Sequence, residues 1–263
     1  SAVVIILFGR HGEETMDYKL LFDTAVFAGE LLMKNGAETY RVEDTMYRIL
    51  KKSNLKTVQV LVMMTGFVAT LDDPSMDSLT LVRRINSRGT DLELIDKVNV
   101  ISREFCSDQI PLEVAFTRMK TLWREPHESK RNLAAMAALT GGFAVMFGGS
   151  AADVAVAAAT GFLTAAVLFY CRKIHLHMFL ENMLCSVFLA IVVGLAVTFL
   201  PGEYSRDLII ISAIMPLVPG AAITNAVFDT LHGDYLSGLA RAAEAFVIAA
   251  AVALGIGIGM SLI

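Results

Sequence analysis

Cysteine is scarce in this sequence, and no pair of cysteines has a spacing that chemistry uses. Cys106, Cys171 and Cys185 stand far apart, and neither a CxxC pair nor a Cys/His metal pattern occurs. We therefore expect three reduced cysteines that serve as packing residues. That usage fits a domain facing the cytosol followed by apolar membrane segments.

The signature sequences of common enzymes are also missing. There is no Walker loop, no GxSxG elbow and no HExxH pair, which argues against the ATPases, serine hydrolases and zinc proteases that carry them. His11, Glu13 and Glu14 are close in sequence, but their spacing matches no known metal site. The sequence thus predicts a protein that is not an enzyme and has no metal and no cofactor.

Charge is nearly absent from the second half of the chain. Residues 132–263 hold only 4 of the 22 Lys and Arg residues and 7 of the 26 Asp and Glu residues, and the mean hydropathy of the whole chain is +0.59. The net charges of the two halves, −1 and −3, do not suggest a nucleic-acid partner. We predict a cytoplasmic α+β domain over residues 1–131 and an all-α membrane domain over residues 132–263.

Apolar residues in the first domain change from helical to strand spacing and back. This pattern predicts a small α+β domain with a short sheet. The predicted helices are Met16–Asn35, Tyr40–Ser53, Leu92–Ser107 and Pro111–Trp123, and the predicted strands are Thr57–Met63, Phe67–Leu71 and Leu79–Ile85.

The second domain contains five apolar segments, and we predict a bundle of five transmembrane helices. Gly148-Gly149-Ser150 separates the first two segments, which indicates a tight helical hairpin. In the last segment Gly255 and Gly259 have the spacing of a helix-pairing face. The predicted spans are Leu133–Gly149, Ala151–Cys171, Phe179–Leu200, Leu208–Phe228 and Gly238–Ile263.

Basic residues near the ends of these segments predict their orientation. Lys130 and Arg131 precede the first segment, and Arg172 and Lys173 follow the second. Because cytoplasmic flanks carry the excess of Lys and Arg, we expect the start of the first segment and the end of the second to lie on the cytoplasmic side.

The fourth segment is the most informative part of the chain. It carries Pro216, Pro219 and Gly220, and then Asn225 and Asp229 on one helical face. Loosened backbone is tolerated at membrane depth only where protein buries it or a water-filled cavity meets it. A broken membrane helix is also where secondary transporters hold small polar solutes. We therefore predict a solute pathway here.

The other ionisable residues that we single out in the apolar half can each have one of two roles. Asp153 is either a helix cap or a carrier of the coupled proton. Arg241 and Glu244 share a helical face, so they either pair with each other or line the pathway.

One cluster of charge in the first domain also has two readings. Glu38, Arg41 and Glu43 lie near one helix start, where they either cap and pair or form a gate or regulatory contact.

These residues together resemble a known family. The motifs that carry the resemblance cover roughly residues 16–260, and they are similar to the threonine/serine exporter (ThrE) family, above all to its split-subunit, YjjP-like branch. They are Gly36-Ala-Glu-x-x-x-Val-Glu43, Arg84-Ile-Asn-Ser-Arg-Gly89, Val218-Pro-Gly-x-x-x-x-Asn-x-x-x-Asp229 and Gly238-Leu-Ala-Arg241.

The resemblance implies an exporter of small metabolites in the bacterial inner membrane. Its substrates would be threonine and serine or succinate-type dicarboxylates, that is, small anionic or zwitterionic metabolites. Full-length members have about ten spans, so the resemblance also implies a second, YjjB-like membrane subunit with about five spans. The residues carried over from the family's pattern are Pro219, Gly220, Asn225, Asp229 and Arg241.

From these observations we expect a secondary exporter that works by alternating access. Pro216, Pro219, Gly220, Asn225, Asp229 and Arg241 would bind the substrate, and Asp229, Glu244 or Asp153 would carry the coupled proton. Two alternatives stay open at this point: a membrane-anchored enzyme with a hydrolase-like cytoplasmic domain, and a regulatory or scaffold subunit that transports nothing.

Overall fold

A computed structural model describes residues 17–86, 89–123, 131–174 and 176–263, without the side chains of residues 131 and 132. The chain divides into two compact units. The first consists of Ser1–Arg124 with Leu231–Ser237, and the second of Glu125–Thr230 with Gly238–Ile263. His11, Glu13 and Glu14, whose spacing matches no known metal site, lie outside the described residues.

The first unit is an α+β domain whose elements follow the predicted order. Three strands form an antiparallel meander in the order β1-β2-β3. The elements are α1 (Tyr18–Lys34), α2 (Thr39–Lys51), β1 (Thr57–Met63), β2 (Gly66–Asp73), β3 (Met76–Arg84), α3 (Leu92–Cys106) and α4 (Leu112–Leu122).

The central strand supplies most of the sheet's buried core residues. Phe67, Ala69 and Leu71 alternate along β2 and are fully buried, because alternate side chains of a strand point to the same face. They join a core whose helical members include Leu21 and Met46. Alternate residues of β2 therefore form the buried face of the sheet.

The predicted helix boundaries in this unit have a local chemical cause. Gly36 has a φ of +85°, and the N–H groups of Gly36 and Ala37 donate to Met33 O and Leu32 O, which is a Schellman motif. The Asp91 carboxylate accepts from the N–H of Leu94 at 3.0 Å and caps α3, as the sequence indicates.

The second unit is helical throughout its described residues. Gly148, with a φ of +81°, turns the chain between the first two helices and confirms the predicted hairpin. The elements are α5 (Arg131–Met146), α6 (Ala151–Lys173), α7 (Met178–Phe199), α8 (Arg206–Ile214), a 3₁₀ turn η1 (Met215–Leu217), α9 (Gly220–Leu231) and α10 (Tyr235–Ser261).

Large apolar side chains point outward in this unit, and small polar ones point inward. Phe199 and Phe246 are about three-quarters exposed, at 77% and 75%, whereas Thr160, Thr164 and Ser186 are completely buried. This arrangement is costly in water but favourable in lipid, where the surroundings of the helices are themselves apolar. The second unit is therefore a membrane domain.

The predicted bundle of five transmembrane helices is wrong. Within the described residues, three helices are long and apolar enough to cross a membrane, namely α6, α7 and α10, and the bent pair α8–α9 raises the number to four if it forms one span. The apolar part of α5, Leu133–Met146, measures about 21 Å, well short of a 30 Å hydrocarbon core. Apolar composition alone overestimated the length of this helix.

Two glycines of α10 form the predicted helix-pairing face. A Cβ atom on Gly255 would lie 2.5 Å from Met183 O, and one on Gly259 would lie 2.7 Å from Val187 O, both on α7. A Cβ atom on Gly257, between them, would meet nothing within 4 Å. The two outer glycines thus let the backbones of α7 and α10 approach closely.

Candidate functional site

The fourth apolar segment is broken where its prolines lie. The axis bends by 55° between Arg206–Leu217 and Gly220–Leu231. Pro216 lies within η1, Val218 has an extended backbone, and Pro219 precedes the first residue of α9. Neither proline has an N–H to donate, so the helical ladder stops at η1 and starts again in α9.

The new start of α9 leaves backbone donors available. The Gly220 N–H donates to Val218 O at 2.8 Å, and the first regular helical bond joins Ile223 N to Pro219 O at 3.0 Å. Within the described part of the chain, the N–H groups of Ala221 and Ala222 have no acceptor. Such groups at a helix start attract anions.

A buried ion pair joins the far end of α9 to α10. The Arg241 Nε lies 2.8 Å from the Asp229 Oδ2, and the two side chains are 10% and 0% exposed. The Nε–H does not point straight at this oxygen, so the contact is an ion pair and not a linear hydrogen bond. The structure thus brings Asp229 to Arg241, and a pairing of Arg241 with Glu244 stays a prediction.

The predicted substrate residues extend over more than one binding position. Asp229 lies nine positions after Gly220, which is about 14 Å along a helix. The carboxyl carbons of an extended four-carbon diacid are only roughly 4 Å apart. One small metabolite therefore cannot contact the start of α9 and Arg241 together. Asn225 lies between them, half-buried, one turn from Asp229.

The wall beside the proline break is apolar. A crevice of about 520 Å³ lies next to Pro219 and contains almost no polar surface. Its lining comes from the break and from α10, and it includes Ile214, Val218, Val252 and Ile256. Pro216 and Pro219 thus shape the backbone, and the polar contacts in this segment come from Asn225 and Asp229.

Asp153 is held in a structural network. Its Oδ2 accepts from the N–H and hydroxyl of Ser150 at 2.9 Å each, which completes a capping box, and its Oδ1 accepts from Ser205 N at 2.8 Å. The carboxylate therefore ties the start of α6 to the start of α8. This confirms the capping reading, and a proton-coupling role for Asp153 stays a prediction.

The predicted gate residues lie in the first unit. Arg41 Nη1 is 3.2 Å from Glu38 Oε2, and Glu43 Oε2 accepts from the N–H of Val62 at 3.2 Å. The first contact is a partly exposed ion pair. The second satisfies a backbone donor on the edge strand β1. A regulatory role for these three residues stays a prediction.

Three buried hydroxyls were not recognised from the sequence. Thr160 and Thr164 on α6 and Ser186 on α7 have no hydrogen-bond partner within the described residues. A buried hydroxyl without a partner costs about 1–3 kcal/mol. The four-residue spacing of the threonines was a usable signal, but small residues in membrane helices usually only pack.

The described residues contain no cluster that could form a metal site. None of them brings three or more His, Cys, Asp or Glu side chains together in a way that could hold a metal ion.

An α+β unit, followed by apolar helices of which one is broken beside a buried ion pair, defines a multi-pass membrane protein. The chain belongs to the putative threonine/serine exporter (ThrE) family, whose sequence profile matches residues 23–263.

Two relatives are similar to this chain over most of its length. The chain is 22% identical over 251 residues to a probable threonine/serine exporter of Mycobacterium tuberculosis, covering 93% of this chain and 46% of the relative. It is 25% identical over 238 residues to the probable succinate transporter subunit YjjP of Klebsiella aerogenes, covering 88% of this chain and 89% of the relative. The chain thus spans about half the length of the mycobacterial protein. No solved structure matches the chain.

Proposed function

We propose that this chain is one subunit of a secondary exporter in the bacterial inner membrane, with its first unit in the cytoplasm. The substrate is a small anionic or zwitterionic metabolite, either an amino acid such as threonine or serine or a dicarboxylate such as succinate. The family and the names of the two relatives support this class of substrate.

The observation that carries the proposal is the ion pair of Asp229 and Arg241 beside a broken helix. Charges inside a membrane domain are costly, and they usually belong to substrate or ion pathways. Half-helices with interrupted backbone are likewise typical of transporter binding sites. A span that served only as an anchor would need neither feature.

Binding proceeds by exchange of partners at Arg241. A substrate carboxylate takes the place of Asp229 on the guanidinium, and the Asn225 amide contacts the same substrate. The displaced Asp229 meets the ammonium group of an amino acid or, for a dicarboxylate, takes up a proton; Glu244 is the alternative proton carrier. For an amino acid, every buried charge then has a counter-charge; a dicarboxylate meets the same condition when it enters with its second carboxylate protonated.

Movement of the site between the two sides uses the break. Because η1 and Val218 carry no continuous helical ladder, α8 and α9 can change their angle at small cost. The start of α9 forms a second position for the substrate anion, about 14 Å from Asp229. The substrate would occupy the two positions in sequence during alternating access.

A second membrane subunit completes the transporter. The chain covers 46% of the mycobacterial relative, and the name of the Klebsiella relative describes a subunit. We propose that the partner chain corresponds to the remaining part of the long relative.

The test is substrate flux in proteoliposomes that contain the chain with its partner subunit. Radiolabelled threonine and succinate are supplied in separate arms under an imposed pH gradient. We expect Asp229→Asn, Arg241→Gln and Asn225→Ala each to reduce flux by about tenfold or more, because each loses a polar contact to the substrate. Asp207→Asn, an exposed acid at the start of α8, is the matched control and keeps normal flux.

Normal flux through properly folded Asp229→Asn and Asn225→Ala proteins would reject this site. Flux by the partner subunit alone would favour the scaffold alternative. Hydrolytic turnover by the whole chain, with no flux of either metabolite, would favour the enzyme alternative.

A further inference from the structure

Two helices of the first unit present polar stripes to each other. On each helix the stripe residues are spaced i, i+3, i+4 and i+7, so they share one face. A cavity of about 490 Å³ lies between the stripes, which we call the α2–α3 groove. Its lining is Arg41, Asp44, Thr45 and Arg48 from α2, Asn99, Ser102, Arg103 and Cys106 from α3, and Ser107.

The stripe on α2 is not needed for the core of the unit. The apolar residues of this helix, among them Val42, Met46 and Ile49, are fully buried on its other face. Facing stripes of packed helices are normally apolar and closely packed. Here both are polar, and the space between them is large enough for a small metabolite.

The floor of the groove offers hydroxyl groups. Thr45 and Ser102 are only 9% and 7% exposed. The Ser102 hydroxyl donates to Asn99 O at 3.0 Å, and the Thr45 hydroxyl has no partner within the described part of the chain. The Thr45 oxygen keeps some solvent exposure, so a ligand or water in the groove can bond to it.

The rim of the groove carries more positive than negative charge. Arg48 Nε lies 2.8 Å from Asp44 Oδ2, and Arg41 Nη1 lies 3.2 Å from Glu38 Oε2. Arg103 donates through Nε to Asn99 O at 3.2 Å and forms no ion pair with a described carboxylate. A guanidinium has five N–H donors, so each arginine keeps donors for a further acceptor. Exposed ion pairs are weak, so an incoming anion can share or displace them.

We propose that the α2–α3 groove binds a small metabolite with two or more negative charges, held by Arg41, Arg48 and Arg103 over the hydroxyl of Thr45. Carboxylates and phosphates offer the same oxygen acceptors to guanidinium groups. The site is independent of the proposed transport site, since it lies wholly in the first unit.

Cys106 provides a probe inside the groove. It is the only cysteine of the first unit, whereas Cys171 and Cys185 are buried in the second. Burial raises the pKa of the Cys106 thiol, and the positive charges of Lys52 and Arg48 oppose part of that rise. The thiolate is the reactive form, so alkylation is slow at neutral pH and accelerates in mildly alkaline solution.

The experiment measures the alkylation rate of Cys106 by mass spectrometry in the purified full chain. Inorganic phosphate, succinate and citrate are added in separate arms, against sodium chloride of equal ionic strength. We expect at least one of the three anions to slow alkylation roughly threefold or more, since bound anion covers the thiol and disfavours its thiolate. The arms distinguish a phosphate from a carboxylate ligand.

Variants decide whether the protection arises in the groove. Arg103→Gln and Arg48→Gln remove protection, Thr45→Val weakens it, and Arg103→Lys keeps part of it. Lys97→Gln, which changes an exposed lysine paired with Glu93 on α3, keeps it in full. Asn225→Ala, which changes the proposed transport site without leaving a buried charge unpaired, also keeps it and so separates the two sites.

The proposal is overturned by any of three results. The first is that none of the anions slows the alkylation of Cys106, and the second is that sodium chloride slows it equally. The third is that protection persists in an Arg103→Gln protein with a normal unfolding temperature.

Discussion

At the residue scale, the ion pair of Asp229 and Arg241 is the contact on which the proposed function depends. Both residues were recognised in the sequence, Asp229 through its spacing from Asn225 and Arg241 through its spacing from Glu244. Both arguments concern neighbours on one helix, however. The contact itself joins two helices, and no spacing along the chain predicts it.

Breaking this pair is expected to destabilise the protein. Arg241→Gln or Asp229→Asn alone leaves one buried charge without its counter-charge and should cost about 3–5 kcal/mol. The double variant leaves no charge and should recover much of that loss. The measurement is the unfolding temperature of all three proteins in the same detergent.

A double variant as unstable as the sum of its single changes would contradict this expectation. The two side chains would then contribute independently, and the ion pair would not be what holds them in the interior.

At the element scale, close helix contacts depend on side chains that are small or absent. Gly255 and Gly259 bring α10 against α7. The Thr140 hydroxyl donates to Ala157 O at 3.0 Å, which joins α5 to α6. Residue size at such positions controls how near two backbones can come.

Alanine substitutions along α10 should therefore differ in their effect on the stability of the protein. Gly255→Ala and Gly259→Ala push a methyl group against the backbone of α7 and should destabilise the protein by about 1–3 kcal/mol. Gly257→Ala meets nothing and should be neutral, or stabilising by up to about 1 kcal/mol through helix propensity. Thermal unfolding in detergent measures all three, and equal losses would exclude a specific α7–α10 contact.

The buried hydroxyls of α6 permit a second test at this scale. Thr160→Val and Thr164→Val remove hydroxyls that have no partner, so they should stabilise the protein by about 1 kcal/mol or more. Thr140→Val removes a hydroxyl bonded to Ala157 O and should destabilise it. If the α6 variants also lose substrate flux, these hydroxyls contribute to the pathway.

Loss of stability in both α6 variants would show that their hydroxyls are satisfied in the folded protein. Thr140→Val is the matched control, since it makes the same chemical change at a buried threonine of the same unit.

At the scale of the whole molecule, the segment between α9 and α10 belongs to the first unit. The rings of His232 and Tyr40 stack at 3.9 Å, and Ser237 Oγ accepts from Met64 N at 3.1 Å. The two parts of the broken pair, Arg206–Leu217 and Gly220–Leu231, together amount to about 36 Å of helix, which is enough to cross a membrane despite the bend. This length favours a span over a re-entrant loop.

Single cysteines introduced into a cysteine-free variant distinguish these two arrangements. We expect Asp234→Cys and Lys173→Cys to react with an impermeant thiol reagent from the same side of the membrane. Glu203→Cys should react from the other side. Labelling of positions 203 and 234 from one side would show that α8–α9 re-enters and does not cross.

The sequence by itself determined the elements of the first unit and the polar break at Pro216 and Pro219. Strand alternation, helical spacing, caps and prolines act within a few residues, so they can be read locally. Only the tertiary structure decided that α5 is too short for a span, that Asp229 meets Arg241, and that Asp153 ties two helices together. It also decided that two polar helix faces enclose a groove. Those facts depend on which faces meet in space, and burial in a packed interior or in lipid sets the energy of each contact.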